Sequence, residues 1–133
     1  MTAKVFTRVN VVAWIAAISV LVFLFLFPHQ RISAFEQDME LLCNGLEVAL
    51  RAEEWEEALG LMESLQARFR AEHPCLRLFF DHEDVDELEL GLKTAASYLK
   101  QEDAAPALGE LEKVRAIASY LTGIETFTLT NLF

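Results

Sequence analysis

Residues Val11–Phe27 read VVAWIAAISVLVFLFLF, and Ser19 is the only polar side chain among them. This run constrains the chain more than any other feature. With Val9 and Asn10 it makes 19 residues, about 28 Å of helix at 1.5 Å per residue. A bilayer hydrocarbon core is ~30 Å thick. A helix packed on a soluble core shows one polar face, and this run shows none. The sequence therefore predicts a membrane anchor over 1–31, with the span at about 9–27. Trp14 suits an interface, and Pro28 suits the exit from the span because its ring removes a backbone donor.

Charge divides the 133 residues at the same place. Residues 1–31 carry Lys4, Arg8 and Arg31 and no acid, whereas 32–133 carry all 21 acidic residues and the remaining 8 basic ones. The net charge of −10 thus averages a basic anchor with a strongly acidic domain. Such a domain offers nothing to follow a phosphate backbone, so no nucleic-acid partner is expected. Its own charge also holds it off anionic lipid. Lys4 and Arg8 before the span outnumber Arg31 after it, which predicts a cytoplasmic N-terminus and an extracytoplasmic 32–133. The rival is a cleaved signal peptide. It fits less well, because the run ends in bulky Phe-Leu-Phe-Leu-Phe-Pro-His and the nearest cleavage pattern, Ile32-Ser33-Ala34, has isoleucine where a small residue belongs. Cys43 lies too far downstream, after Glu40-Leu41-Leu42, to be a lipidation site.

Beyond Ile32 the apolar residues recur at helical spacing. Ile32, Phe35, Met39, Leu42, Cys43, Leu46 and Leu50 form one stripe, and Trp55, Ala58, Leu59, Met62, Leu65 and Phe69 a second. His73-Pro74 is placed as a break or a helix start, so that Leu76, Phe79, Phe80, Leu88, Leu92, Ala95 and Leu99 form the third. Asp103 is placed as the N-cap of a fourth helix, with Pro106 in its first turn and a stripe through Leu108, Leu111, Val114, Ile117, Leu121 and Ile124. No stretch alternates as a strand would.

An internal repeat orders these helices. Shifted by 49 residues, Leu50-Arg51-Ala52-Glu53-Glu54 overlies Leu99-Lys100-Gln101-Glu102-Asp103, and Ala58-Leu59-Gly60 overlies Ala107-Leu108-Gly109. Two helical hairpins follow, stacked as a four-helix bundle, with Gly60 and Gly109 as candidate points of close helix approach. The pattern Ala52-x-x-Trp55-x-x-Ala58-Leu59 is tetratricopeptide-like, although a period of 49 departs from that family's ~34 residues. The fold class is all-α: an N-terminal transmembrane helix, then two stacked hairpins. In that topology the tail Thr126–Phe133 returns toward the bilayer, with Phe127, Leu132 and Phe133 packing on the first exported helix or, as the alternative, touching the membrane interface.

Chemistry is sparse. Placing Cys75 at the start of the third helix sets it about 15 Å from Cys43 along the bundle, too far for a disulfide. Residues 81–89, DHEDVDELE, put His82, Asp86 and Glu89 on one helical face, a weak divalent-cation pattern beside the plainer reading of a solvated acidic face near a helix N-terminus. Ser33, Ser64, Ser97 and Ser119 lie in no nucleophile motif, and the sequence contains no phosphate loop and no His-Glu-x-x-His. The expectation is a non-enzyme without cofactor. Ala13, Ala16, Ala17 and Ser19 leave homo-oligomerisation through the span open.

The single span, His82-Glu83-x-Val85-Asp86-x-Leu88 and the terminal Thr128-Leu129-x-Asn131-Leu132 together resemble a family of small membrane-anchored bacterial proteins of unknown function, found mainly in spore-forming Firmicutes. The resemblance covers nearly the whole chain through short motifs. It implies an anchored all-helical domain with no assigned activity, and it singles out His82 and Asn131 as partner-binding or structural positions; Trp55 joins them from the hairpin pattern. The resulting expectation is an interaction protein for another membrane or envelope protein, in a setting related to sporulation, with a divalent-cation envelope sensor as the alternative.

Overall fold

A computed structural model describes residues 2–130, with side chains described over 10–123. It contains α1 (Thr2–Arg51), α2 (Trp55–Phe79), α3 (His82–Lys100) and α4 (Ala104–Thr130), and no strand among the described residues. The chain divides into two units, Met1–Arg31 and Ile32–Phe133.

In the first unit, the apolar side chains from Val11 to Phe27 stand open: Trp14 is 69% exposed, Phe23 61% and Phe25 60%. Leaving so much apolar surface in water opposes the burial that drives folding. This helix is long and apolar enough to cross a membrane, a property that signal sequences share. Phe23 stacks on Phe27 at 5.2 Å between ring centroids, and the Arg31 guanidinium lies 5.7 Å from the Phe27 ring. The aromatic face thus ends on a cation. Pro28 lies inside α1 and does not end it. A proline removes one intrahelical hydrogen bond, and the helix continues around that loss.

In the second unit, Ile32–Arg51 of α1 and the other three helices share one core. Phe35, Met39, Cys43, Leu46, Leu50, Met62, Leu65, Phe69, Leu76, Val85, Leu88, Leu92, Leu99, Leu111, Val114 and Leu121 are all at most 3% exposed. Polar contacts fix the order of helices around it. Arg68 of α2 reaches Asp38 of α1 at 2.7 Å, Arg77 of α2 reaches Asp86 of α3 at 3.2 Å, and Arg115 of α4 reaches Glu47 of α1 at 3.1 Å. With α3 packed on α4, the four segments close a ring.

The 49-residue repeat is visible in both turns and burial. Met39, Cys43, Leu46 and Leu50 correspond to Leu88, Leu92, Ala95 and Leu99; Ala58, Met62, Leu65 and Phe69 correspond to Ala107, Leu111, Val114 and Ala118; every one is buried. The two inter-helix turns are also alike. Glu53 N–H donates to the Leu50 carbonyl and Glu54 N–H to Ala49, and 49 residues later Glu102 N–H donates to Leu99 and Asp103 N–H to Tyr98. This nested pair is the Schellman end of a helix, which calls for a left-handed residue. Glutamate fills that place twice, with φ 57° at Glu53 and 55° at Glu102. A Cβ makes this region costly, and glycine occupies it freely. Glu53→Gly and Glu102→Gly are therefore each expected to stabilise the domain by about 0.5–1 kcal/mol, read as a rise in urea midpoint at constant slope.

Three expectations change. α2 runs through Pro74 to Phe79, so Leu76 and Phe79 belong to α2, Phe80 is its C-cap and Cys75 sits within it instead of opening α3. The carbonyl that Pro74 leaves without a donor belongs to Arg70, an exposed residue that water reaches, and Leu76 beyond it is buried, which rewards continuation. α3 starts at His82, where the Asp81 carboxylate accepts from Glu83 N–H at 3.0 Å as an N-cap. Gly60 and Gly109 have nothing within 4 Å of where a Cβ would stand, whereas a Cβ on Gly91 would lie 2.9 Å from Val114 Cγ2. The close helix approach is thus between α3 and α4, at Gly91.

Candidate functional site

The antiparallel pairing of α2 and α3 sets residues equally far from their turn opposite one another. Arg77 faces Asp86 in this way, and one turn further out His73 faces Glu89. The ligand-type atoms of His73, Asp86 and Glu89 all lie within 4.8 Å of one another. His73 Nε2 is buried and has no hydrogen-bond partner, and its ring meets Phe69 edge-on at 5.4 Å. Asp86 Oδ1 accepts from Arg77 Nη1 at 3.2 Å, and Glu89 Oε1 pairs with Lys93 Nζ at 2.7 Å. The Lys93 hydrogen bond, outweighing partial desolvation, holds the Glu89 carboxyl below its ordinary range, with smaller contributions from the charges of Lys93, His73 and Arg77. Beside this group lies a cavity of about 280 Å³ lined by Gln66, Phe69, Arg70, Glu89, Leu92 and Lys93.

The residues read from sequence fall as follows. Asp86 and Glu89 do come together, and the histidine that joins them is His73; His82 is exposed at the first position of α3. Trp55 opens α2 and packs, partly buried, against the core. Asn131, with Leu132 and Phe133, lies outside the described residues. Cys43, buried, and Cys75, half-buried, are not joined to each other in a disulfide. Burial pushes the Cys43 thiol up to about 11, against the opposing pull of Arg115.

Two charge clusters had no signal in the sequence. In the first, Arg68 donates to Asp38 Oδ2 at 2.7 Å and to Glu72 Oε2 at 2.9 Å, and its guanidinium lies 5.5 Å from the Phe35 ring centroid. Glu72 is only 2% exposed and stands where the second repeat has buried Leu121. In the second, Arg115 donates to Asn44 Oδ1 and Glu47 Oε2, each at 3.1 Å, and to Glu112 Oε1 at 2.9 Å. Hydrogen bonds from Arg51 and Arg115 hold the Glu47 carboxyl below its ordinary value of 4.5. The sign follows directly. The unfolded chain binds the proton more readily, so this contribution to stability is complete above about pH 4.5 and is lost as pH falls through the lower folded value. Glu47→Gln is expected to flatten the acid limb of the stability profile below pH ~4.5. An unchanged acid limb in pH-dependent urea titrations would refute the assignment.

Comparison with curated proteins finds no match. Comparison with solved structures finds none either. A family signature described as a domain of unknown function (DUF4363) matches residues 26–132, from the last residues of the apolar run to the end of α4 and beyond. The all-helical unit and most of the chain fall inside that match, and the chain belongs to this family of unknown function.

Proposed function

We propose that this protein is a non-enzymatic, single-pass membrane protein whose acidic helical domain binds another membrane or envelope protein. The observation that carries the reading is the contrast between its two units. Side chains of Val11–Phe27 stand about half to two-thirds exposed, while those of the second unit form a closed core. An apolar surface of that extent is matched by lipid. Lys4 and Arg8 favour a cytoplasmic N-terminus, with the domain outside the cytoplasmic membrane. The paired hairpins fit a tetratricopeptide-like use, in which helices present a surface to a partner. His82, exposed at the start of α3, and Asn131 are the positions we would place at that surface, and Trp55 supports it from the core side. The family resemblance favours a spore-forming Firmicute and a sporulation-related envelope complex.

The test uses the full chain in a bacterial host. Alkaline carbonate extraction should leave it in the membrane fraction at full length. A cysteine introduced at exposed Glu83 should react with an impermeant maleimide in intact cells. Crosslinking followed by detergent purification should recover a stoichiometric envelope or membrane protein. Release by carbonate or a shortened N-terminus overturns the anchor. Labelling only after lysis overturns the orientation, and a lone monomer in every growth phase overturns the interaction role.

A further inference from the structure

We propose that His73, Asp86 and Glu89 form a binding site for a zinc-class divalent cation that ties α2 to α3. This inference does not depend on the anchor or on a protein partner. Three observations converge on it. The donor atoms come from two different helices and already lie within 4.8 Å of one another. Metal–ligand bonds of 2.0–2.2 Å place tetrahedral donors about 3.4 Å apart, a spacing these donors already approach. His73 Nε2 is buried with no hydrogen-bond partner, and a buried polar nitrogen gains from any group that accepts or coordinates it. Finally, the Asp86 and Glu89 carboxylates bring negative charge beside the imidazole.

The competitors are the cations already there. Arg77 on Asp86 is 41% exposed and Lys93 on Glu89 is 67% exposed. Pairs this open contribute little, so both cations are free to turn toward water when a metal arrives. Each carboxylate also keeps a second oxygen. The donor set chooses the metal: an imidazole with two carboxylates suits zinc and its neighbours, whereas Ca²⁺ takes six to eight oxygens. Three protein ligands leave a fourth position for water. The consequence is mechanical. α1–α2 and α3–α4 are the two hairpins of the repeat, and the metal would crosslink one hairpin to the other across the α2–α3 seam.

The test titrates chelator-stripped full-length protein in detergent micelles with ZnCl₂, CaCl₂ and MgCl₂ by calorimetry, with thermal melts alongside. One equivalent of Zn²⁺ should bind at micromolar or lower Kd and raise Tm. His73→Gln and Asp86→Asn should each weaken Zn²⁺ by about tenfold or more and abolish the Tm shift, with metal-free melts close to wild type. His82→Gln should leave Zn²⁺ affinity within about twofold, because its ring lies outside the cluster. Absence of Zn²⁺ binding overturns the site. So does unchanged affinity in His73→Gln, loss of affinity in His82→Gln, or Ca²⁺ binding tighter than Zn²⁺. If His73→Gln unfolds the domain, Glu89→Gln, at a half-buried carboxylate of the cluster, replaces it with the same criteria.

Discussion

Arg68→Ala is expected to destabilise the helical domain by about 3 kcal/mol, the cost of removing one partner from a buried ion pair. Arg68 joins α1 to α2 through Asp38 and Glu72, and Glu72 is almost fully buried. Burial opposes the Arg68 charge, yet the hydrogen bonds to Asp38 and Glu72 outweigh it and hold the guanidinium above its ordinary value. Alanine would leave the Glu72 carboxylate inside the domain without that guanidinium. The repeat supplies the contrasting variant. At the position equivalent to Glu72 the second hairpin has Leu121, buried to the same degree. Arg68→Met with Glu72→Leu should therefore recover most of the loss, since apolar replacement of a buried pair is often neutral or favourable. Urea unfolding of the two variants tests this. A single variant as stable as wild type, or a double variant worse than the single, would show that the pair does not behave as a desolvated unit.

The second large effect is expected at Phe35, which is 1% exposed and lies beneath Arg68. Phe35→Ala removes a buried ring and opens a cavity, at a cost of about 3–5 kcal/mol. Phe35→Leu retains most of the volume and loses the ring face that Arg68 covers, for about 1–1.5 kcal/mol. The two losses should fall in that order in thermal melts. Equal losses would assign Phe35's role to the cation contact, and no loss in either would contradict its burial. Because Phe35 and Arg68 touch, their effects should not add when combined.

Much of the fold was legible because it is written locally. An unbroken apolar run needs no partner to be recognised, and a stripe at helical spacing states which face of a helix will be buried. The 49-residue repeat went further: Leu50 and Leu99, Ala58 and Ala107, and the turns between them occupy the same structural positions. What failed was local in a different sense. Pro28 and Pro74 are punctuation in a sequence, yet each costs only one hydrogen bond, and neither ended its helix. Placing the break at Pro74 also misplaced Cys75, Leu76, Phe79 and Phe80.

That one boundary decided the candidate site. His82 stands at helical spacing from Asp86 and Glu89, so periodicity along one helix selects it. His73 is 13 residues from Asp86 and becomes its neighbour only because α2 continues past Pro74 and turns back at Asp81. Glu72 and Arg68, or Gly91 and Val114, are likewise pairings that no single stripe encodes. The sequence by itself determined the apolar segment, the helical character and the doubled hairpin, because these follow from the periodicity and hydropathy of neighbouring residues. Only the tertiary structure decided which charges are buried, which glycine permits close packing and which histidine meets the two carboxylates, because those depend on the register between helices.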